Sequence, residues 1–139
     1  MTEKTPDLVA ALAAVPIFAG LSRRQVGKLL DKSKVVDHKD GQEVAKEDEG
    51  ALALHLILEG AAAVSVHGDH VRDLGKGDYF GEISLIDGRR RSASVYASGA
   101  LTTLVVPHLA FHRLLEEEPD FALGLLKLLC ARIREAESA

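Results

Sequence analysis

Phe80-Gly81-Glu82-Ile83-Ser84-Leu85-Ile86-Asp87-Gly88-Arg89-Arg90-Arg91-Ser92-Ala93-Ser94 is the stretch on which the reading of this chain turns. Gly81 lets the backbone come close to a ligand, and Glu82 to Ile86 suits one helical turn whose free N–H groups face an anion. A carboxylate accepts hydrogen bonds and donates none, so beside a phosphate the natural partner of Glu82 is a sugar hydroxyl. Nine residues on stands Arg91, whose planar fork of donors matches two phosphate oxygens at once. Alone, Glu82 reads as a solvated acid in a turn. Paired with Arg91, it implies one small ligand that carries both a phosphate and a ribose.

The run F-G-E-I-S-L-I, a four-residue loop, Arg91 and then S-A-S together resemble the phosphate-binding cassette of the cyclic nucleotide-binding domain family. That family includes transcription factors of the catabolite activator type, kinase regulatory subunits and gated channels. The resemblance implies a site built from Gly81, Glu82, Ile83, Ser84, Arg91, Ser92, Ala93 and Ser94. In it Glu82 takes the ribose 2′-hydroxyl, while Arg91 and backbone N–H groups near Gly81, Glu82 and Ser92 hold the cyclic phosphate. Ser94 falls where members carry Ala, Thr or Ser, and a hydroxyl there reaches the phosphate or the base edge, favouring guanine in some members. The resemblance also implies that the last helix caps the purine. Lys127, Cys130, Arg132 and Arg134 lie in that stretch, and the sequence does not choose among them. Members often have Pro where Arg90 stands here, a departure that bears on loop stiffness rather than on chemistry.

Composition narrows the function classes. A chain of 139 residues with 47% apolar content suits one domain with a sizeable core, and at 4% aromatic that core depends on Leu, Val and Ala. A net charge of -4 argues against nonspecific nucleic-acid binding, which needs a basic surface. Arg89 and Arg90 therefore read as solvated cations that help attract an anion. With no apolar run near the roughly 18 residues of a membrane span and no signal-peptide pattern, the chain reads as cytoplasmic. Cys130 is the only cysteine, so no internal disulfide forms, and it is expected as a small buried apolar group. His55, His67 and His70 show no metal-binding pattern of the cupin type, and no nucleophile stands in a catalytic context. Neither a metal nor an enzyme is expected.

Along the chain, Thr5 and Pro6 open a helix with Leu8, Val9, Ala11, Leu12 and Val15 on one face, ending at Pro16. Ser22-x-x-Gln25 has the form of a capping box for a second helix through Val26, Leu29 and Leu30. From Ser33 the apolar period changes to that of strands: 34–38, 42–46, 51–58, 61–67, 71–74, 92–97 and 100–106, punctuated by glycines, with a turn expected at Ser98-Gly99. Leu52, Leu54, Leu56 and Leu58 line one buried face of the clearest strand. Beyond Pro107, a short helix carries Leu109, Phe111, Leu114 and Leu115. A longer one from Pro119 carries Phe121, Leu125, Leu128, Leu129 and Ile133 on a stripe that packs inward.

The expected fold is α+β and mainly β: an antiparallel β-roll or jelly-roll barrel with N-terminal helices and two C-terminal helices. One domain is expected over 1–139, divided into a helical part (1–32), a barrel (33–106) holding the 80–94 cassette, and C-terminal helices (107–139). The expected function is a non-enzymatic sensor that binds cAMP or cGMP and signals by movement of its flanking helices. The alternative is a nucleotide-free interaction or dimerisation scaffold of the same fold, and a cupin-like metalloenzyme ranks third. Besides the cyclic nucleotide, the expected partners are a second copy or an effector protein on the last helix, with neither nucleic acid nor membrane. No DNA-reading helix-turn-helix follows that helix in the sequence, so the chain is expected to act through a partner or as part of something longer.

Overall fold

The computed structural model describes residues 5–45, 53–81, 86 and 93–138. Helix α1 (Thr5–Ala13) leads through a 3-10 turn (Pro16–Phe18) to α2 (Arg23–Asp31). The capping box forms in full: Ser22 Oγ accepts from the Gln25 N–H, and Gln25 Oε1 accepts from the Ser22 N–H at 2.8 Å. Six strands follow: β1 (Lys34–His38), β2 (Glu43–Ala45), β3 (Ala53–Val66), β4 (Asp69–Leu74), β5 (Tyr79–Phe80) and β6 (Ser94–Pro107). Two helices, α3 (His108–Glu117) and α4 (Pro119–Ser138), end the described chain.

Every strand pairing is antiparallel. The order is β1-β6-β3-β4, with β2 on β6 and β5 on β3, so the expected roll is present but its sheet is open and does not close into a barrel. Two expected turns are also absent. The runs on either side of Gly60 form one 14-residue strand, β3, and those on either side of Ser98-Gly99 form another, β6. Both glycines have positive φ, but they sit where the β3–β6 register shifts rather than in hairpin loops. The contact there is tight. Gly60 has φ +93°, and a Cβ on it would stand 2.2 Å from the Ala100 carbonyl oxygen, so only glycine lets the two long strands bend together.

The bend lets the same strands wall two cores. Leu54 and Leu56 of β3, with Leu104 and Val106 of β6, face the helices and join Leu12, Ile17, Phe18, Val26, Phe111 and Phe121. Phe111 holds this layer together edge-on, its ring 5.9 Å from Phe18 and 6.1 Å from Phe121 between centroids. The opposite faces carry Ala45, Ile57, Ala62, Val64, Leu74, Phe80, Val95, Ala97 and Leu101, which line the inside of the roll. Past the bulge the inward positions of β3 change from odd to even numbers, as an extra residue in a strand requires. β3 is thus buried on both faces, not only on its leucine side.

Candidate functional site

The two ends of the 80–94 stretch come to one wall. Phe80 and Val95 belong to the inner cluster, and Ala93 packs against it. β5 is only two residues long, and it ends at the point where the chain leaves the sheet. Gly81, the next residue, has φ +90°, a conformation that L side chains rarely adopt, so its backbone is free to turn toward a ligand there. Where the chain returns, Ser94 opens β6, buried and in register with Ser65 of β3. Of the expected site residues, Gly81 follows Phe80 of the inner cluster, Ala93 packs against that cluster, and Ser94 is buried at the start of β6. Glu82, Ile83, Ser84, Arg91 and Ser92 lie outside the described residues.

The wall beside Gly81 holds residues that sequence reasoning missed. The His55 ring stacks on Phe80, with centroids 4.8 Å apart and planes within 4°, a cross-strand pair that follows from the His55–Phe80 register. Only the register reveals it. Deeper in the sheet, His38 Nε2 lies 3.0 Å from the hydroxyl of Thr103, and both residues are buried. Burial pushes the His38 imidazole below its ordinary range, an effect that the neighbouring Asp37 partly offsets. Its Nδ1 has no hydrogen-bond partner among the described residues, so a proton there would bring an uncompensated charge into the sheet.

The last helix reaches this region at Arg132. Arg132 is half-buried and donates from Nη2 to the Tyr79 hydroxyl at 3.0 Å, one residue before Phe80. Lys127, Cys130 and Arg134, the other residues considered for that role, are exposed. Cys130 is thus not the buried apolar group expected of it. Ile133 is 59% exposed and lies off the inward stripe, while Phe121 and Leu125 are buried on it as expected. The reason is phase: Leu123, Leu126, Cys130 and Ile133 form a second row on the outer side of α4, at spacings of three and four residues. A separate groove between α2 and α3, lined by Lys28, Lys32, Leu109 and Arg113 among others, shares no residue with the 80–94 region. No helix among the described residues is long and apolar enough to cross a membrane.

The comparisons with known proteins agree with this arrangement. Residues 35–118 match the family model for the cyclic nucleotide-binding domain. The cAMP-dependent protein kinase type II regulatory subunit of Drosophila melanogaster is 34% identical over 109 residues, covering 75% of this chain and 29% of that protein. The cGMP-dependent protein kinase of Toxoplasma gondii is 37% identical over 86 residues, covering 62% of this chain but only 9% of the kinase. The chain therefore spans less than a third of either protein. Among solved structures, the regulatory domain of Toxoplasma gondii PKA with cAMP superposes with a TM-score of 0.76 at 26% identity, over 96% of this chain and 51% of that one. An antiparallel roll with helices at both ends, a positive-φ glycine opening the cassette and a family match across most of the sheet lead to one conclusion: this chain belongs to the cyclic nucleotide-binding domain family.

Proposed function

We propose that residues 1–139 act as one non-enzymatic sensor of cAMP or cGMP whose flanking helices move when the nucleotide is held. In this reading Glu82 takes the ribose 2′-hydroxyl, Arg91 and the N–H groups near Gly81 and Ser92 hold the cyclic phosphate, and Ile83, Ser84, Ala93 and Ser94 complete the cradle. The observation that supports it is that Phe80, beside Gly81, and Ala93, beside Ser94, meet on the small-residue inner wall of the roll. Relatives whose names specify cAMP and relatives whose names specify cGMP both resemble the chain, so the base is open to experiment. A ligand shifts helices only by its difference in affinity between two arrangements. The Arg132–Tyr79 hydrogen bond offers the contact between α4 and β5, the strand that leads into the cassette, on which that difference would act.

Titration calorimetry with cAMP and with cGMP tests the reading. Arg91→Ala removes a charge-assisted contact of about 1.5 to 3 kcal/mol and is expected to weaken binding roughly ten- to a hundredfold. Unchanged affinity in that variant would sink the assigned role. Ser94→Ala then separates two uses of the hydroxyl: loss of cGMP preference alone marks a base contact, and equal loss for both nucleotides marks a phosphate contact.

A second reading, a nucleotide-free dimerisation scaffold, is favoured by the outer row of α4, where Leu123, Leu126 and Ile133 are 52%, 60% and 59% exposed. It predicts a dimer in sedimentation that Leu126→Glu dissolves, together with no gain in thermal stability from either nucleotide. A sensor gains stability by mass action.

A further inference from the structure

His108 and His112 stand four residues apart on α3, one helical turn from each other on the same row. Their ring centroids are 4.1 Å apart and their planes are tilted by 48°. Both side chains are half-buried, and the Phe111 ring meets His112 edge-on at 6.3 Å, which limits how far that imidazole swings. We propose that this pair is a two-imidazole chelate for a first-row divalent cation such as zinc, held on the first turns of α3. Imidazole nitrogens suit zinc, copper and nickel, and an i,i+4 pair on a helix presents two of them to one ion.

The ring spacing is close to that of a chelate. A metal about 2.0–2.1 Å from one nitrogen of each ring sets the ring centres about 4.5 to 5 Å apart, so the pair opens by less than about 1 Å to accept it. Glu116 follows on the same row, but no group of three or more His, Cys, Asp or Glu among the described residues is placed to hold an ion. The described residues therefore supply two ligands and leave the other positions to water, and the partial positive charge of the helix N-terminus at His108 works against any cation. Both facts point to a labile, micromolar site that responds to free metal, rather than to a structural zinc that the fold depends on. The clamp ties together the turn by which β6 hands over to the C-terminal helices.

Zinc chloride alone, titrated into the protein by calorimetry, provides the test. The expected result is one zinc per chain, weakened about tenfold or more in either His108→Gln or His112→Gln because each leaves a single ligand. The rival site is the exposed His67–Asp73 hairpin, where His70 Nε2 lies 2.8 Å from Asp73, so His70→Gln is expected to leave zinc affinity unchanged. In the unaltered protein, nuclear magnetic resonance is expected to show the His108 and His112 ring signals shifting together as zinc is added. Absence of zinc binding, binding that survives both helix variants, or binding that is lost with His70→Gln overturns the proposal.

Discussion

The two faces of β3 and β6 make opposite use of one pair of strands. Toward the helices, leucines interlock with Phe18, Phe111 and Phe121, large groups that fill space and fix α1 to α4 over the sheet. Toward the inside of the roll, Ala45, Ala62 and Ala97 alternate with valines and leucines, and among the described residues of that cluster Phe80 is the one phenyl ring. Burying apolar area stabilises in proportion to that area, so the helix side supplies more stability per position. The inner side keeps a wall of short side chains next to the stretch proposed to hold a nucleotide. One sheet therefore separates the face that holds the fold together from the face proposed to hold a ligand.

That contrast exposes itself to mutation. The largest effect expected is from Phe111→Ala, which empties the centre of the aromatic layer and costs about 3–5 kcal/mol in urea unfolding. A cost near that of an exposed site would mean the helix-side layer is not the stabilising one. Next comes Gly60→Ala at the hinge between the two cores, where left-handed strain and overlap with the Ala100 carbonyl combine to about 2–4 kcal/mol. A neutral result would show that the bend tolerates a side chain.

Polarity inside the roll gives a smaller and pH-dependent effect. Thr103→Val deprives His38 Nε2 of its partner and is expected to cost about 1–3 kcal/mol. The sign of the pH effect follows from burial. The unfolded chain takes up a proton on His38 near the ordinary value of 6.5, while the folded chain resists until a lower pH. Stability is therefore full above about 6.5, declines as acid carries the pH through that value toward the lowered folded one, and levels off below it. Urea midpoints measured along this window should lose that component of slope in His38→Gln. The smallest effect expected is at the rim: Ser22→Ala breaks the capping box for about 1 kcal/mol and leaves both cores intact.

Much of this architecture was legible because local chemistry and tertiary structure agree. Ser22 and Gln25 announce their helix, Pro119 begins α4, and the leucines at 54 and 56 reach the helix-side core. Where the two levels part, the sequence misled. Gly60 and Ser98-Gly99 carry the signature of turns, yet each strand keeps its partner across them, and long-range pairing outweighs the local preference. The alternation in 53–57 marked one buried face, but nothing in it reveals that Ile57 meets a second core. On α4, apolar residues occupy two helical rows, so Cys130 and Ile133 fit an inward stripe on paper and face outward in the fold. Within the candidate site, the motif pointed to Gly81 and Ser94. It did not point to His55, and it left Arg132 as one of four candidates, because what brings these two there is strand register and the path of a helix 53 residues away from Tyr79.

Tyr79 and Phe80 are neighbours on a two-residue strand, and they look in opposite directions: the first packs with the helix-side core and accepts from Arg132, the second lies in the roll against His55. Gly81 follows as a swivel. Any rotation of the β5 backbone turns both rings at once, like the two arms of a rocker. A displacement that reaches this short strand is therefore met by both packed layers together, through Tyr79 on the helix side and Phe80 inside the roll.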